Sequence, residues 1–257
     1  MIIRNQEERE GITESCRRLG VVLEALSREV RPGVTTRELD ALADRLITEG
    51  GDTPAFKGYS PEGARYPFPA ALCISVNDEV VHGIPSERVL KEGDIVSLDL
   101  GIVHKGFISD SAITVPVGSV SKEAQELMAL THLSLENAID AARAGNRTGD
   151  ISAAVEDTFV GSTFSIVKVL GGHGVGREVH EEPFIANVGT PGTGEELVPG
   201  MVLALEPIAN AGKAAVHIAP DGYTFRTRDG SYSAHFEHTI LITEEGPAEI
   251  LTKRPHE

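Results

Sequence analysis

Four carboxylates stand where a soluble strand seldom keeps one. Asp99 lies in IVSLDLGI and Glu206 in MVLALEPI, each inside an apolar run. Asp110 interrupts the strand-like FISDSAITVPV, and Glu237 interrupts SAHFEHTILIT. Asp is depleted in strands, and an unpaired buried carboxylate costs several kcal/mol or takes up a proton. One such acid is ordinarily an outward-facing strand residue; four of them need cations, and no Lys or Arg lies in those runs. A metal cluster meets the need. The stretch GGHGVG at 171–176 adds a nitrogen donor, His173, between glycines that let backbone and ligands approach closely. As a phosphate loop the same stretch is weak, because it lacks the P-loop Lys and is followed by Glu181 and Glu182. Four carboxylates and one imidazole suit Mn²⁺, Fe²⁺, Co²⁺ or Zn²⁺, and the imidazole argues against Ca²⁺. Five ligands are too many for one catalytic ion with an open position. Bridging carboxylates would instead hold two ions about 3–4 Å apart.

The elements that position these residues can be read from periodicity. Residues 4–29 form an amphipathic helix with Ile12, Cys16, Leu19, Val22 and Leu26 on one face. After Pro32-Gly33, Thr35 stands three before Glu38, a capping-box spacing that opens a second helix to about Thr48. Residues 51–70 are a Gly/Pro-rich loop. Strand-like runs follow at 72–76, 94–103 and 107–117. A long helix runs from Ser121 to Gly145 and a shorter one follows Asp150. Strand character resumes at 165–170, 201–207, 215–219, 223–227 and 233–243.

The helix-helix-strand order occurs twice, and a repeat underlies it. Arg31, Gly33, Thr36 and Leu39 align with Arg143, Gly145, Thr148 and Ile151 at one offset. Leu90, Gly93, Leu98 and Asp99 align with Leu197, Gly200, Leu205 and Glu206 at a second. Asp110 and Glu237 form a third pairing, so acid falls on acid. The expected fold is α+β: one catalytic domain over 1–257, with two pseudo-symmetric halves at about 5–118 and 119–250. Their strands make a curved antiparallel sheet covered by helices.

Composition bounds the function. The 257 residues carry 39 Asp+Glu against 23 Lys+Arg, a formal charge of −16, which argues against nucleic-acid or anionic-membrane partners. Cys16 and Cys73 are too few for a Cys-rich zinc site or a disulfide scaffold. Charges arrive by residue 4, so there is no secretory apolar segment, and no run approaches the roughly 18 apolar residues of a membrane span. A cytoplasmic protein is expected. With no Trp and 5% aromatics there is no stacking platform for single-stranded nucleic acid.

These residues and their surroundings resemble type I methionine aminopeptidases of the pita-bread fold. The resemblance covers roughly residues 5–250. It rests on NDEVVHGIP at 77–85, LKEGDIVSLDLG at 90–101, GHGVGREVHEEP at 172–183, LEP at 205–207 and SAHFEHTILIT at 233–243. Their order and the eleven-residue spacing from Asp99 to Asp110 make it specific. The resemblance implies that Asp99 chelates one metal, His173 and Glu206 the other, and Asp110 and Glu237 bridge both. It makes His82 a histidine that hydrogen-bonds the peptide near the scissile bond, and His180 the one that contacts the scissile carbonyl. Glu206 is also the implied proton shuttle. His104, His132, His217, His235 and His238 lack such a match and are read as structural.

The pocket for the methionine side chain maps onto Phe56, Tyr59, Phe68, Cys73, Val179 and Tyr223. Here the chain departs from many relatives. Residues 59–68 are about six longer than the usual short turn, Val179 replaces a larger apolar residue, Tyr223 stands where some carry Trp, and Ser109 where Gly is common. The implied partners are a peptide or nascent-chain amino terminus with a small second residue and, transiently, the ribosome; the chain is expected to be a monomer. Two other readings stay open: an Xaa-Pro dipeptidase-like enzyme of the same fold, and a non-catalytic pita-bread binding protein.

Overall fold

A computed structural model describes residues 1–61 and 63–257. Two helices open the chain, α1 (Gln6–Glu29) and α2 (Thr36–Glu49). Each starts where its cap requires. Asn5 accepts from Glu8 N at the first, and Thr35 and Glu38 close a reciprocal capping box at the second. Five strands follow: β1 (Thr53–Pro54), β2 (Leu72–Val76), β3 (Glu79–Val81), β4 (Ile95–His104) and β5 (Phe107–Pro116). Then come α3 (Lys122–Ala141), capped by Ser121, and α4 (Thr148–Thr158). The remaining strands are β6 (Ser165–Ile166), β7 (Gly171–Gly174), β8 (Glu181–Ala186), β9 (Val202–Leu205), β10 (Ile208–Asn210), β11 (Val216–Ile218), β12 (Phe225–Thr227), β13 (Ser233–His235), β14 (His238–Leu241) and β15 (Glu249–Ile250).

All pairings are antiparallel. β4 carries β5 on one edge and β2 and β1 on the other. A second sheet runs β15-β14-β9-β7-β8, and two three-stranded sheets run β13-β10-β6 and β11-β12-β3. α1 packs over β4 and β5, and α3 packs over β9, β10 and β13. Leu19, Leu23 and Leu26 of α1, Leu98 and Leu100 of β4, and Leu203 and Ile240 of the second sheet lie in one continuous core. The same backbone contact recurs in both halves: Gly33 N donates to Leu90 O at 2.9 Å, and Gly145 N to Leu197 O at 2.9 Å.

Three expected strands are shorter or broken. The run at 201–207 ends at Leu205, and β10 resumes at Ile208, because Pro207 has no N–H to continue a ladder. The run at 233–243 breaks at Phe236 and Glu237. Of 165–170 only Ser165 and Ile166 form a strand, with Val167 N still donating to Ile208 O at 3.0 Å; Val169 is 68% exposed and belongs to no strand.

Candidate metal centre

Asp99 and Asp110 reach one place because of a hairpin. β4 and β5 are joined by Lys105-Gly106, both with positive φ (49° and 81°), the conformation of a tight two-residue turn. The register pairs Asp99 with Ala112 and Gly101 with Asp110. Side chains alternate along a strand, so the two aspartates are diagonal neighbours on one face. The eleven-residue spacing is thus the length of a hairpin that aligns two carboxylates.

The second sheet brings the other ligands. His173 pairs with Ala204 of β9, and Glu206 lies two residues further along that strand's line. β14 pairs His238 with Leu205, so continuing the register sets Glu237 opposite Glu206. β7 is squeezed between β8 and β9. A Cβ at Gly172 would stand 2.3 Å from Ala204 O, and one at Gly174 would stand 2.3 Å from Glu182 O. The glycines around His173 are therefore a packing requirement.

Hydrogen bonds, most of them from hydroxyls, tie β5 to the β13–β14 segment at this point. Glu237 N donates to Ala112 O at 2.8 Å, and Ser111 Oγ to Glu237 O at 2.7 Å. Thr239 Oγ1 donates to Asp110 O at 2.6 Å, and Thr114 Oγ1 to His235 O at 2.8 Å. These bonds use backbone groups, which leaves the carboxylates of Asp110 and Glu237 free to face the cavity.

One ligand atom each from Asp110, His173 and Glu237 lies within 4.8 Å of the others. His173 Nε2 is 3.5 Å from Glu206 Oε1. Asp110 Oδ1 and Glu237 Oε1 are buried without any hydrogen-bond partner. Burial pushes Asp99 up to about 7, and burial with repulsion among the acids pushes Asp110, Glu206 and Glu237 well above the usual carboxylate range. Orphaned oxygens among like charges are the signature of a site shaped for cations, and this donor set fits a divalent metal.

The cavity at the cluster has a volume of about 140 Å³. Every ligand, pocket and histidine position singled out from the sequence lines it; Pro61 is the one lining residue not anticipated. The apolar wall is a packed cluster of Phe56, Phe68, Cys73, Val179 and Tyr223, with Tyr59 against it. The longer 59–68 segment builds part of that wall. Phe68 N donates to Tyr59 O at 2.7 Å, Tyr66 Oη donates to Asp221 O at 2.6 Å, and Tyr223 Oη donates to Tyr66 O. Glu62 of that segment lies outside the described residues. A wider cavity of about 650 Å³ shares His82, His173, His180 and Glu206 and opens past exposed Phe184 and Val169.

The surroundings favour the neutral form of the three cavity histidines. Burial and the neighbouring His180 lower His82 to about 4 and His173 to about 4, and desolvation lowers His180 as well. His82 also holds a left-handed backbone (φ 58°), a strained conformation for a residue with a Cβ. His180 stands at the cavity mouth with its ring edge-on to His173, centroids 4.5 Å apart.

His235 departs from expectation. It was read as structural, yet its Nε2 lies 3.5 Å from Glu206 Oε2 and 3.8 Å from Glu237 Oε2. It is 1% exposed, and neither ring nitrogen has a hydrogen-bond partner. Its place two residues before Glu237, across the break between β13 and β14, was the available signal.

Metal removal gives a pH prediction. Without metal the folded chain holds protons on the raised carboxyls that the unfolded chain has released above its ordinary value of 3.8 for Asp. Their stabilising contribution is complete below that value and is lost as pH rises through about 7 for Asp99 and higher for the others. The lowered histidines act in the opposite sense, but only between their folded values and 6.5. Above about pH 6.5 the carboxyls govern. The Tm of EDTA-treated protein should therefore fall from pH 6.5 to 8.5, whereas Mn²⁺-loaded protein should hold its Tm, because metal replaces those protons. Thermal melts in matched buffers check this; a rising Tm in EDTA would contradict it.

The comparisons with known proteins agree with this geometry. Residues 10–244 match the family model of metallopeptidase family M24. The chain belongs to that family. M24 relatives include the methionine aminopeptidase of Clostridium perfringens, 46% identical over 98% of this chain and 98% of that protein. The crystal structure of methionine aminopeptidase from Thermotoga maritima superposes with a TM-score of 0.93, at 44% identity over 99% of this chain and 100% of that one. An Xaa-Pro dipeptidase from Bacillus anthracis shares the fold at TM-score 0.77 and 24% identity, this chain spanning 63% of it. No helix among the described residues is long and apolar enough to cross a membrane.

Proposed function

We infer that this M24 chain is a methionine aminopeptidase that removes an amino-terminal methionine when the second residue is small. The observation that carries it is the meeting of the carboxylate-histidine cluster with an apolar wall in one cavity of about 140 Å³. An apolar cavity of about 150 Å³ accommodates a benzene ring, so this one has room for one side chain of methionine's size. Full-length identity to methionine aminopeptidases favours this over an Xaa-Pro dipeptidase, and the complete ligand set disfavours a non-catalytic binding protein.

In this proposal Asp99, Asp110, His173, Glu206 and Glu237 hold two divalent ions. When bound, such ions polarise the scissile carbonyl and supply a water of lowered pKa. The chain's own groups do the rest. Phe56, Phe68, Cys73, Val179 and Tyr223 enclose the methionine side chain and exclude water. Neutral His180 donates to the carbonyl oxygen as negative charge develops on it. His82 holds the peptide beside the scissile bond and crowds the second side chain. Glu206 carries a proton toward the leaving amine. The remaining peptide leaves along Phe184 and Val169. The substrate is a peptide or nascent-chain terminus, cut in the cytoplasm by a monomer whose ribosome contact is transient. Recurrence of the Gly33–Leu90 contact at Gly145–Leu197 supports one catalytic domain of two duplicated halves.

His235 belongs to the same proposal. A small rotation of either carboxylate would let its N–H donate to Glu206 or Glu237 and hold the ligand in place. Such outer partners set metal affinity by about 10–100-fold. His235→Leu should weaken Mn²⁺ binding by that order in a calorimetric titration, with the fold unchanged; unchanged affinity would remove the role.

The functional assignment is tested by incubating metal-loaded protein with Met-Ala-Ser, Met-Ile-Ser and Ala-Pro peptides. Release of methionine from the first alone is expected. Cleavage of Ala-Pro would favour the dipeptidase, and no cleavage with no metal uptake the binding protein.

A further inference from the structure

His180 is oriented from outside by the extended 59–68 segment. Tyr59 Oη lies 2.9 Å from His180 Nδ1, and the two rings meet at 5.5 Å between centroids with a 59° tilt. The His180 ring also meets His173, with centroids 4.5 Å apart. His180 therefore touches both a phenol and a cluster imidazole. Tyr59 itself is pinned through both backbone groups: its N donates to Phe56 O at 2.9 Å, and its O accepts from Phe68 N at 2.7 Å. No second partner competes for its hydroxyl among the described residues. A phenol is a strong donor, and a neutral imidazole nitrogen a strong acceptor. We propose that Tyr59 is a positioning residue which donates its hydroxyl proton to His180 Nδ1 and so fixes His180 as the Nε2–H tautomer.

The consequence is chemical. A neutral histidine has one N–H, and which nitrogen carries it is set by what the other nitrogen binds. With Nδ1 occupied as an acceptor, Nε2 is the donor. This is the group that the role of His180 requires, so the proposal rests on that role. Without the hydroxyl both tautomers compete, and a fraction of molecules presents a lone pair to an oxygen that needs a donor. Tyr59 thus contributes more than a wall to the methionine pocket. A pocket-wall residue alone would be indifferent to loss of its hydroxyl.

Tyr59→Phe tests this, because it keeps the ring and removes only the donor. Tyr66→Phe is the control: it removes a hydroxyl bond from the same segment without touching His180. In long-range ¹H–¹⁵N spectra of Zn²⁺-loaded protein, with His180 assigned by its absence in His180→Ala, the wild type and Tyr66→Phe should show Nε2–H. Tyr59→Phe should show a mixture. Its kcat on Met-Ala-Ser should fall roughly tenfold, the size of one lost hydrogen bond, with KM and metal affinity unchanged. An Nδ1–H tautomer in the wild type, or an unaltered tautomer and kcat in Tyr59→Phe, would overturn the proposal. If the wild type fails to cleave Met-Ala-Ser, the functional assignment falls, and the tautomer spectra still decide the role of Tyr59.

Discussion

Asp110→Ala should abolish metal uptake and peptidase activity together. Asp110 is 4% exposed, its Oδ1 has no partner, and its other oxygen lies 4.0 Å from His173 Nε2. It stands where the two sheets join, so in the proposed centre it serves both ions. Loss of a carboxylate that would hold metal there would remove several kcal/mol of charge stabilisation, which corresponds to about a thousandfold or more in kcat/KM. The fold should survive. Its backbone O is held by Thr239 Oγ1, and those contacts do not use the carboxylate. At pH 8.5 the metal-free variant should even melt higher than metal-free wild type, because one member of a buried cluster that repels when ionised is gone. Asp110→Asn, which keeps the volume, separates charge from packing. Calorimetric Mn²⁺ titration and methionine release measure the two losses; normal metal uptake would remove Asp110 from the centre.

His180→Ala should separate metal from catalysis. His180 lines the cavity but reaches it from the β7–β8 connection, beside the cluster and outside the set of Asp110, His173 and Glu237 that converge on one point. Metal affinity should stay near wild type. kcat should fall by about 10²–10³, the usual cost of removing one donor from a developing oxyanion. KM should change less, because the apolar pocket proposed to bind methionine is intact. Full kcat in the variant would make His180 a bystander.

Much of this was legible in the sequence, for identifiable reasons. Acid inside an apolar strand is chemically costly, so Asp99 and Glu206 stood out from the many surface acids. The Thr35–Glu38 box and the Ser121 cap are local signals, and α2 and α3 begin where those residues require. The methionine pocket was read through resemblance, since Phe56, Val179 and Tyr223 have ordinary core chemistry and come from distant segments. His235 was missed because its value is wholly tertiary. A buried histidine is usually satisfied, and only the tertiary fold brings this one beside the carboxylates of Glu206 and Glu237. The hydroxyl stitching by Ser111, Thr114 and Thr239 was equally silent, because Ser and Thr in strands are commonplace. The same holds for the bond from Tyr59 to His180, which joins segments 121 residues apart.

Metal content and turnover measured on one sample test the central claim most directly. Protein stripped with EDTA and reloaded with Mn²⁺ or Co²⁺ is analysed for bound metal while methionine release from Met-Ala-Ser is followed by mass spectrometry. Two ions per chain at saturation, with activity that rises with loading and vanishes on chelation, is the predicted result. Methionine release that persists unchanged after complete chelation, or full loading without any cleavage, would contradict it.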